Sequence, residues 1–312
     1  KPPADFPGKA GEVRLMTLNP GHFHAALVQK VMYGQVSPAV FVYAPEGPDL
    51  EDHLARIEAY NTREDSPTSW EEKVVTGPDY FERMLVERPG NVAVIAGDNR
   101  RKAAYIEACV KAGIHVLADK PMCIDREGFR TLLRTFQAAE RKGILVYDIM
   151  TERSEITTIL QKELMHIPGI FGSLLPGTPE DPAVIKASVH HFFKTVSGKA
   201  LKRPAWFFDS SHQGEGLVDV TTHLVDLVQW ACFPEALLDT ADVMMIDAKR
   251  WATPLSGGQF RRVTGLEDFP EPMKPGPAGE ALPVYCNGEM VYSLRGVHVK
   301  VSVAWEFEAP PG

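Results

Sequence analysis

The chain has 312 residues, 44% of them apolar and 24% charged, which is typical of a globular protein long enough for two domains. Its net charge of −8, with no cluster of basic residues, argues against a nucleic-acid-binding surface. No apolar run approaches the roughly 20 residues that span a bilayer, and the four cysteines lack the spacing of a disulfide framework or a zinc site.

The first nine residues, Lys1–Lys9, contain three prolines and no initiator Met, and they are typical of a flexible leader. Two origins stay open for this start. It is either the stub left after an export signal is removed or merely the point at which the sequence was cut. Export is the favoured origin, so a periplasmic location stands beside a cytoplasmic one.

Strand and helix signals alternate over the first half of the chain, as a parallel sheet with crossover helices requires. The predicted strands are Val13–Leu18, Val40–Tyr43, Val92–Ala96, Val116–Ala118 and Ile144–Tyr147. The predicted helices are His24–Met32, Asp79–Val86, Arg101–Lys111 and Asp125–Lys142. Asp125 is the expected N-cap of the last helix and Gly143 its stop. We therefore predict an α/β domain with a doubly wound parallel sheet over residues 11–150.

After about residue 150 the pattern changes to longer strands with fewer helices between them. The predicted strands are Ala183–Phe193, Asp242–Asp247, Val284–Leu294 and Val297–Phe307, and the predicted helices are Arg153–Met165 and Gly216–Ala231. Arg295-Gly296 is the expected hairpin turn between the last two strands, and Pro270–Pro283 is typical of an exposed loop. The pattern predicts an α+β domain on a mainly antiparallel open sheet over residues 151–312.

The first strand leads into Asn19-Pro20-Gly21-His22-Phe23-His24, where a dinucleotide-binding loop would have Gly-x-Gly-x-x-Gly. Gly21 matches the middle glycine, which lets the backbone approach a pyrophosphate. Asn19 can replace the first glycine because asparagine tolerates positive φ. His24 replaces the third, so either the helix sits further out or the imidazole lies flat beside the phosphates. We predict that Asn19, Gly21, His22 and His24 bind the cofactor.

The second strand does not end in the carboxylate that usually binds the ribose, because Tyr43 is followed by Ala44. Glu46, two residues later, is the candidate that could reach the ribose instead. NAD and NADP therefore both stay open as cofactors, and NAD is favoured.

Two further segments carry the chemistry. Lys120 follows the apolar run Val116–Ala118 at the carboxyl end of a strand, where open α/β sheets bind ligands and an amine can give or take a proton. Asp219 and His223 lie four residues apart on a predicted helix and so share one face. Asp219 either acts directly or orients His223. A sugar-alcohol dehydrogenase needs such a proton relay on the hydroxyl while nicotinamide takes the hydride. We predict Lys120, Asp219 and His223 as catalytic and substrate-binding residues, although a surface lysine and a core histidine are the simpler readings.

Other polar residues are candidates for contact with the substrate. His190 and His191 lie on a predicted strand and point to opposite faces, so one of them can face the substrate. His191, Arg153 and Trp206 are the predicted substrate contacts. Arg153 is equally typical of an ordinary helix start, and Trp206, like Asp209, would line a sugar pocket or merely fix a loop.

The pair His22 and His24 raises a different possibility. A His-x-His segment after a first strand binds metal in barrel hydrolases. The second half of the chain lacks the further βα units that a barrel needs, so we predict no metal.

Taken together, these segments resemble the Gfo/Idh/MocA oxidoreductases, the family of glucose–fructose oxidoreductase and inositol dehydrogenase. Their pattern has a strand that ends in Glu-Lys-Pro, here Asp119-Lys120-Pro121, and a glycine-rich turn before Asp-x-x-x-His, here residues 214–223. The resemblance covers roughly residues 11–250. The segments Asn-Pro-Gly-His-Phe-His, Val-His-His-Phe-Phe-Lys and Arg-Pro-Ala-Trp-Phe-Phe-Asp resemble a subgroup with its own type of C-terminal domain.

The resemblance implies a Rossmann domain, an NAD(P) cofactor, and an open sheet whose back forms homo-oligomers, either dimers or tetramers. It also implies that Lys120 contacts the reacting hydroxyl and the nicotinamide ribose, and that the Lys120–Pro121 peptide bond is cis. Pro121 and Asn99 are expected at the cofactor. Relatives continue with more strands than remain before Gly312, so the second domain is expected to be incomplete in this chain.

The predicted function is NAD(P)-dependent hydride transfer at a hydroxyl group of a small-molecule carbohydrate, a sugar or cyclitol. Two alternatives stay open. Some relatives retain the cofactor and use transient oxidation to cleave glycosidic bonds, and the histidine-rich loop and possible export favour such an NAD-dependent glycosidase. The missing glycines are also compatible with a noncatalytic sugar-binding protein on a degenerate Rossmann scaffold.

Overall fold

The structure, a computed structural model, describes residues 8–196, 199–275 and 280–309. Positions 1–7 of the predicted leader and positions 276–279 of the predicted Pro270–Pro283 loop lie outside the described residues. The chain divides into two compact units, residues 1–149 and residues 150–312.

Unit 1 is built on one parallel sheet. Its strands are β1 (Leu15–Leu18), β2 (Ala39–Tyr43), β3 (Glu71–Val75), β4 (Val92–Ile95), β5 (His115–Ala118) and β6 (Val146–Asp148). Its helices are α1 (His24–Leu27), α2 (Pro48–Thr62), α3 (Tyr80–Glu87), α4 (Asn99–Lys111) and α5 (Arg126–Lys142). The strands run parallel in the order β3-β2-β1-β4-β5-β6. The predicted doubly wound sheet is therefore confirmed.

The central strands are apolar because both faces of the sheet are covered. All four residues of β1 are buried, as expected for a strand with helices on either side. Met16 and Leu18 pack in one cluster with Ile106 of α4, whereas Leu15 packs in another with Ile57 of α2. The strand order reverses between β1 and β4, so the loops after these two strands border the crevice in which such sheets bind ligands.

Local signals set the ends of α5 as predicted. The Asp125 carboxylate accepts a hydrogen bond of 2.7 Å from the Gly128 amide, and Gly143 ends the helix at φ 64°. Both residues supply the partners or conformations that the ends of a helix need.

The helix after β1 is shorter than predicted, because α1 ends at Leu27 and not at Met32. Beyond it, the indole of Trp70 donates to the Gln29 carbonyl at 2.6 Å, and the Gln29 side chain donates to Glu72. These tertiary contacts replace the helical hydrogen bonds that a longer α1 would make.

The elements α2 and β3 were not predicted from the sequence. The buried residues of α2 are Leu50, His53 and Ile57, which follow helical spacing, but the polar histidine among them disguises the apolar face. Strand β3 begins with charged residues and lies at the edge of the sheet, where such residues are common.

Unit 2 is built on a mixed, mainly antiparallel sheet, as predicted. Its strands are β7 (Val184–His191), β8 (Thr195–Val196), β9 (Lys199–Ala200), β10 (Val243–Leu255), β11 (Leu282–Leu294) and β12 (Val297–Glu306). Its helices are α6 (Ile156–Met165), α7 (Pro168–Phe171), α8 (Ser210–Gln213), α9 (Thr221–Cys232) and α10 (Gly257–Thr264). Strands β10, β11 and β12 are antiparallel neighbours, β7 joins β12 in parallel, and β8 pairs with β9 separately.

The hairpin between β11 and β12 forms where the sequence predicts it. Arg295 and Gly296 have φ values of 50° and 83°, and Leu294 pairs with Val297. Two successive positive φ values define the tight turn that suits twisted strands.

Helix α9 covers one face of this sheet and starts later than predicted, at Thr221 instead of Gly216. Its Leu224 and Val228 pack in one cluster with Val299 and Val301 of β12. At Gly216 the backbone lies against β11, where an added Cβ would be 1.8 Å from the Cys286 carbonyl oxygen. This close approach explains why the first residues of the predicted helix form turns instead.

Strand β10 and helix α10 also differ from the sequence prediction. Strand β10 continues to Leu255 because it pairs with β11 along its length, with two register shifts. Helix α10 was not predicted, although Ser256 and Gln259 form a capping box at its start. Within the described residues, none of the helices combines the length and apolar character needed to cross a membrane.

A buried polar cluster lies between α1, α2 and β3. Gln29 donates to one Glu72 oxygen at 2.5 Å, and His53 Nε2 lies 4.0 Å from the other. Burial raises the pKa of Glu72 to about 7, against the opposing effect of the Gln29 hydrogen bond. Burial also lowers the pKa of His53 to about 4. The two groups therefore give stability opposite dependences on pH.

We predict that Glu72→Gln stabilises the protein above neutral pH. The folded-state pKa of Glu72 is raised from 4.5 to about 7, so its contribution is intact below pH 4.5 and declines as the pH rises to 7. The free energy of unfolding of the variant should equal that of the wild type at pH 4 and exceed it by on the order of 3 kcal/mol at pH 8. Urea unfolding across this pH range measures the difference. Glu71→Gln, an exposed change on the same strand, is the control, and equal curves for all three proteins would contradict the prediction.

Candidate functional site

The loops after β1 and β4 are joined through their backbones at the carboxyl edge of the first sheet. The His22 amide donates to the Ala96 carbonyl at 3.0 Å, and Asn19 has φ 47°. Gly97 has φ 151°, and a Cβ there would lie 2.4 Å from the Gly21 nitrogen and 2.5 Å from the Asn19 oxygen. Only glycine therefore fits at position 97, a requirement that sequence reasoning missed although Gly97 follows a buried strand.

This turn fits a dinucleotide phosphate in two respects. Asn19 has the left-handed conformation that the first glycine of the usual loop supplies. Gly21 and His22 remain partly accessible, so their backbone can be approached from the crevice.

The side chains of His22, His24 and Asp119 form a cluster behind this turn, named here the His–Asp–His cluster. Nδ1 of His22 lies 3.0 Å from one Asp119 oxygen, and Nδ1 of His24 lies 2.8 Å from the other. The two imidazole rings are nearly perpendicular, with centroids 4.3 Å apart. His24 is buried and turned toward Asp119 at the end of β5.

The charge of the cluster is set by burial and by a neighbouring ammonium group. Burial alone would raise the pKa of Asp119, but hydrogen bonds from His22 and His24 and the charge of Lys102 hold it well below its usual range. Burial lowers the pKa of His22 despite the opposing effect of Asp119. At neutral pH an anionic carboxylate therefore faces a neutral His22.

Lys102 of α4 supplies the compensating charge. Its side chain is fully buried, and its Nζ donates to the Asn99 side chain at 2.6 Å and to the Asp119 carbonyl at 3.1 Å. Lys102 was not predicted as part of the site, because a lysine in the first turn of a helix carries no sequence signal of burial.

The His–Asp–His cluster also contains the residue types that bind metal ions. The candidate ligand atoms of His22, His24 and Asp119 lie within 4.8 Å of one another. Two ammonium groups oppose a cation at this place, namely buried Lys102 and Lys120, whose charge also contributes to the lowered pKa of His22. Their charge favours an anion such as a pyrophosphate over a divalent cation.

The other residues predicted for the cofactor border the same edge of the sheet. Lys120 directly follows Asp119 at the end of β5, and the Lys120–Pro121 peptide bond is cis, as the resemblance implies. Asn99 is the first residue of α4 and is buried. Glu46 is exposed after β2 and accepts a hydrogen bond of 3.3 Å from the Thr76 hydroxyl.

In unit 2, His223 has a carboxylate partner that the sequence did not predict. Its Nδ1 lies 2.6 Å from Glu152 Oε2. Glu152 belongs to a 3₁₀ turn, Glu152–Ser154, that packs beside α9. Burial would raise the pKa of Glu152, but its contact with His223, together with hydrogen bonds from the backbone and from Thr151, lowers it.

The next residue, Arg153, makes a two-pronged ion pair with α9. Its Nε donates to Asp226 Oδ2 at 2.7 Å, and its Nη2 donates to Oδ1 of the same carboxylate. The guanidinium that the sequence suggested for substrate contact is therefore held by Asp226, one turn beyond His223.

Asp219 lies in the turn before α9 and is buried. It lines a small cavity with Gln213, Gly214 and Gly216. Burial lowers the pKa of Arg203 to about 10, and the charge of Asp219 opposes this effect. Arg203 is therefore a counter-charge for Asp219 that the sequence did not predict.

The structure separates the two neighbouring histidines of β7, as the alternation of strand side chains requires. His190 stacks on Trp305, with ring centroids 4.9 Å apart, and Trp305 is buried in the core of unit 2. His191 lies 3.6 Å from Glu306 on the opposite, open face. The face covered by α9 thus carries His190, and the structure does not bring His191 together with His223.

Trp206 and Asp209 have local partners. Trp206 stacks on His212 with centroids 4.8 Å apart. Asp209 caps α8 by accepting hydrogen bonds from the Ser211 amide at 2.9 Å and from the Ser211 hydroxyl at 2.6 Å. Asp209 therefore fixes the loop before the glycine-rich turn.

Two family models match this chain. Residues 50–147 match the "Oxidoreductase family, NAD-binding Rossmann fold" of the Gfo/Idh/MocA group. Residues 160–312 match the "Putative oxidoreductase C terminal domain". Among curated proteins, none matches this chain significantly.

A solved structure of a "putative oxidoreductase" from Parabacteroides merdae is 54% identical, covers 98% of this chain and 70% of its own, and has a TM-score of 0.94. A "putative myo-inositol dehydrogenase" from Sinorhizobium meliloti is 14% identical, with 94% and 69% covered and a TM-score of 0.56. The WlbA dehydrogenase from Bordetella pertussis, in complex with NADH and UDP-GlcNAcA, is 13% identical, with 96% and 73% covered and a TM-score of 0.55. The last two likenesses concern the fold alone.

We predict that Gly97→Ala displaces the turn at residues 19–22 and weakens dinucleotide binding. The new methyl group would meet backbone atoms at 2.4 and 2.5 Å, so no side-chain rotation can relieve the clash. The expected loss of stability is about 1–3 kcal/mol, and the expected loss of NADH affinity is at least roughly tenfold.

Thermal unfolding and calorimetric titration with NADH measure both effects. Gly34→Ala is the control, because a Cβ at Gly34 meets nothing within 4 Å. Wild-type affinity in the Gly97 variant would show that the turn is not held by this contact.

Proposed function

We propose that this chain, which belongs to the Gfo/Idh/MocA family of oxidoreductases, transfers a hydride between NAD(P) and a hydroxyl group of a sugar or cyclitol. The observation that carries the proposal is the arrangement of unit 1. A turn suited to a dinucleotide phosphate lies at the end of β1, and Asp119-Lys120 at the end of β5 is tied to that turn by the His–Asp–His cluster.

In this proposal the cofactor is bound by residues at the carboxyl edge of the first sheet. Those residues are Asn19, Gly21, His22, His24, Glu46, Asn99, Lys120 and Pro121. A bound nicotinamide supplies the hydride acceptor or donor. The buried Lys102 and the nearby Lys120 favour the anionic phosphates. The exposed carboxylate of Glu46 favours NAD, because a carboxylate after β2 suits a ribose hydroxyl better than a 2′-phosphate.

Lys120 is the proposed proton carrier at the reacting oxygen. When an alcohol is oxidised, its carbon loses a hydride and its oxygen loses a proton, which the Lys120 amine takes; in reduction the ammonium returns it. In unit 2, Asp219 and His223 are the proposed contacts for hydroxyl groups of the substrate. A carboxylate accepts and an imidazole accepts or donates, which suits a polyhydroxylated molecule.

The substrate class draws support from the relatives, one named for myo-inositol and one bound to a nucleotide sugar. The test has two stages. Mass spectrometry of material released from denatured protein identifies the retained dinucleotide. The protein is then given NAD or NADP with myo-inositol, D-glucose, D-galactose or methyl β-D-glucoside, and reduced nicotinamide is followed by its absorbance near 340 nm.

Formation of reduced cofactor with a polyol supports the proposal. Release of glucose from methyl β-D-glucoside without net reduction would favour a glycosidase that retains its cofactor. Failure to bind either dinucleotide in calorimetry would contradict both and leave a noncatalytic sugar-binding protein.

We predict that Lys120→Met lowers turnover at least roughly 100-fold, because proton transfer at the hydroxyl is lost. Dinucleotide affinity should stay within about threefold of wild type, because the turn at residues 19–22 and the charge of Lys102 remain to bind the phosphates. Steady-state kinetics with the best polyol of the panel and titration with NADH give the two values. Lys111→Met removes an exposed ammonium group on α4 and should change neither. Unaltered turnover in the Lys120 variant would reject its assignment.

We also propose that the protein forms homo-oligomers through the open face of the second sheet. On edge strand β7, Ile185 and Val189 are 63% and 59% exposed, and apolar side chains on an open edge are usually covered by a partner. The double variant Ile185→Glu/Val189→Glu should lower the mass measured by light scattering after gel filtration. Leu237→Glu alters an exposed apolar residue outside the sheet and is the control. A wild-type protein that is already monomeric would exclude the proposal.

A further inference from the structure

We infer that Glu152 is a positioning residue for His223, holding the proton of the imidazole on Nδ1 so that Nε2 is left to meet the substrate hydroxyl. The inference rests on the proposed function, because it assumes that His223 takes part in the proton relay or in hydroxyl binding. It adds a residue that neither the Asp-x-x-x-His pattern nor the sequence analysis contains.

The contact itself favours one position for the proton. Glu152 Oε2 lies 2.6 Å from His223 Nδ1 as an ion pair, although the N–H direction of the ring does not meet the geometry of a regular hydrogen bond. An ionised carboxylate oxygen repels the lone pair of an unprotonated nitrogen at this distance, so it favours the imidazole with its proton on Nδ1. In a neutral imidazole the other nitrogen, Nε2, is then unprotonated and free to accept a proton.

Glu152 is ionised under ordinary conditions. Its burial acts to raise its pKa, but contacts with His223, the backbone and Thr151 lower it. The side chains of Glu152 and His223 are 31% and 14% exposed. The pair is thus partly shielded from water, which strengthens the electrostatic attraction between the two groups.

The neighbouring ion pair holds the 3₁₀ turn of Glu152 beside α9. Arg153, the next residue of the same 3₁₀ turn, grips Asp226 with two hydrogen bonds. Asp226 lies three residues after His223 on α9, so both contacts fall on one side of the helix. Two consecutive residues of the turn therefore contact two residues one helical turn apart, so the backbone that carries Glu152 is held beside His223 without any substrate.

Asp219 has a different electrostatic setting. It lies in the turn before α9, and its charge acts on the buried Arg203. His223 has Glu152 as the carboxylate 2.6 Å from its Nδ1. Asp219 and His223 therefore have different charged partners. Glu152, and not Asp219, is the carboxylate that orients the imidazole.

The first test reads the proton position directly and does not need turnover. Nitrogen NMR of the full chain labelled with ¹⁵N-histidine, with NAD added, should show His223 with its proton on Nδ1. In Glu152→Ala the signals should move toward the Nε2-protonated form. Glu152→Gln, whose amide oxygen can still accept, should retain the wild-type pattern. Glu155→Ala removes an exposed carboxylate three residues away and should leave the spectrum unchanged.

The second test separates positioning from mere support of the fold. With the panel polyol that the wild type oxidises fastest, Glu152→Ala should lower kcat roughly 10- to 100-fold with KM within about threefold. Glu152→Gln should recover most of the loss. A purely structural role would instead lower the melting temperature and leave the proton on Nδ1. If Glu152→Ala does not fold, Glu152→Asp, which keeps the charge but withdraws it by one methylene, replaces it in both measurements.

The inference and the proposed function can fail separately. If His223→Ala keeps full turnover, His223 has no role in the reaction and the proposed function must be revised. If His223→Ala is inactive while Glu152→Ala keeps the Nδ1 proton and wild-type kcat, the function stands and the positioning role of Glu152 is wrong.

Discussion

The buried carboxylate of Asp119 is the constraint on which the first unit depends. Its side chain is 2% exposed, and an ionised group at that depth must be paired to be tolerated. The partners come from two directions. His22 and His24, which follow β1, lie 3.0 and 2.8 Å from its oxygens, and Lys102 of α4 acts on it through its charge while donating to the backbone carbonyl of Asp119. One charge therefore holds the loop after β1 and the start of α4 against the end of β5. These are the segments that an open α/β sheet uses to bind a nucleotide.

Two departures from the family pattern, His24 and Asp119, depend on each other in the structure. The usual third glycine lets helix and strand approach closely, and here His24 occupies its place while Asp119 replaces the usual glutamate. A glutamate at position 119 would extend the carboxylate by roughly 1.5 Å into imidazoles that now lie at 2.8 and 3.0 Å. The shorter acid makes room for the two rings, and the rings supply the hydrogen bonds that the buried acid needs. The loop therefore lacks the conformational freedom of a third glycine, but its side chains hold it in place through a polar network.

Local chemistry explains which elements could be predicted from the sequence. The alternation of strands and helices in the first unit, the caps of α5 and the Arg295-Gly296 hairpin all follow from signals within a few residues. Predictions failed where distant contacts decide. Helix α1 ends early because the Trp70 indole donates a hydrogen bond to the Gln29 carbonyl. Helix α2 was not predicted because the polar His53 occupies a core position. The same limit applies to the site. The sequence pointed to Lys120, Asp219 and His223, but Lys102, Glu152 and Arg203 act as partners across the fold, and no spacing rule connects them.

Arg153 shows that one residue type can suit either a substrate or a partner within the protein. An arginine near a predicted catalytic helix suggests contact with a polar substrate, yet its fork matches a carboxylate as well as any ligand. In the structure the Arg153 guanidinium donates hydrogen bonds to the Asp226 carboxylate. Because Arg153 and Glu152 are adjacent, the ion pair also holds the backbone from which the Glu152 side chain extends. In the proposed function the arginine then acts indirectly, because it holds the 3₁₀ turn beside α9 and the turn carries the carboxylate that faces the imidazole. An interaction made within the protein in this way adds nothing to substrate affinity, but it orders the proposed site before the substrate arrives.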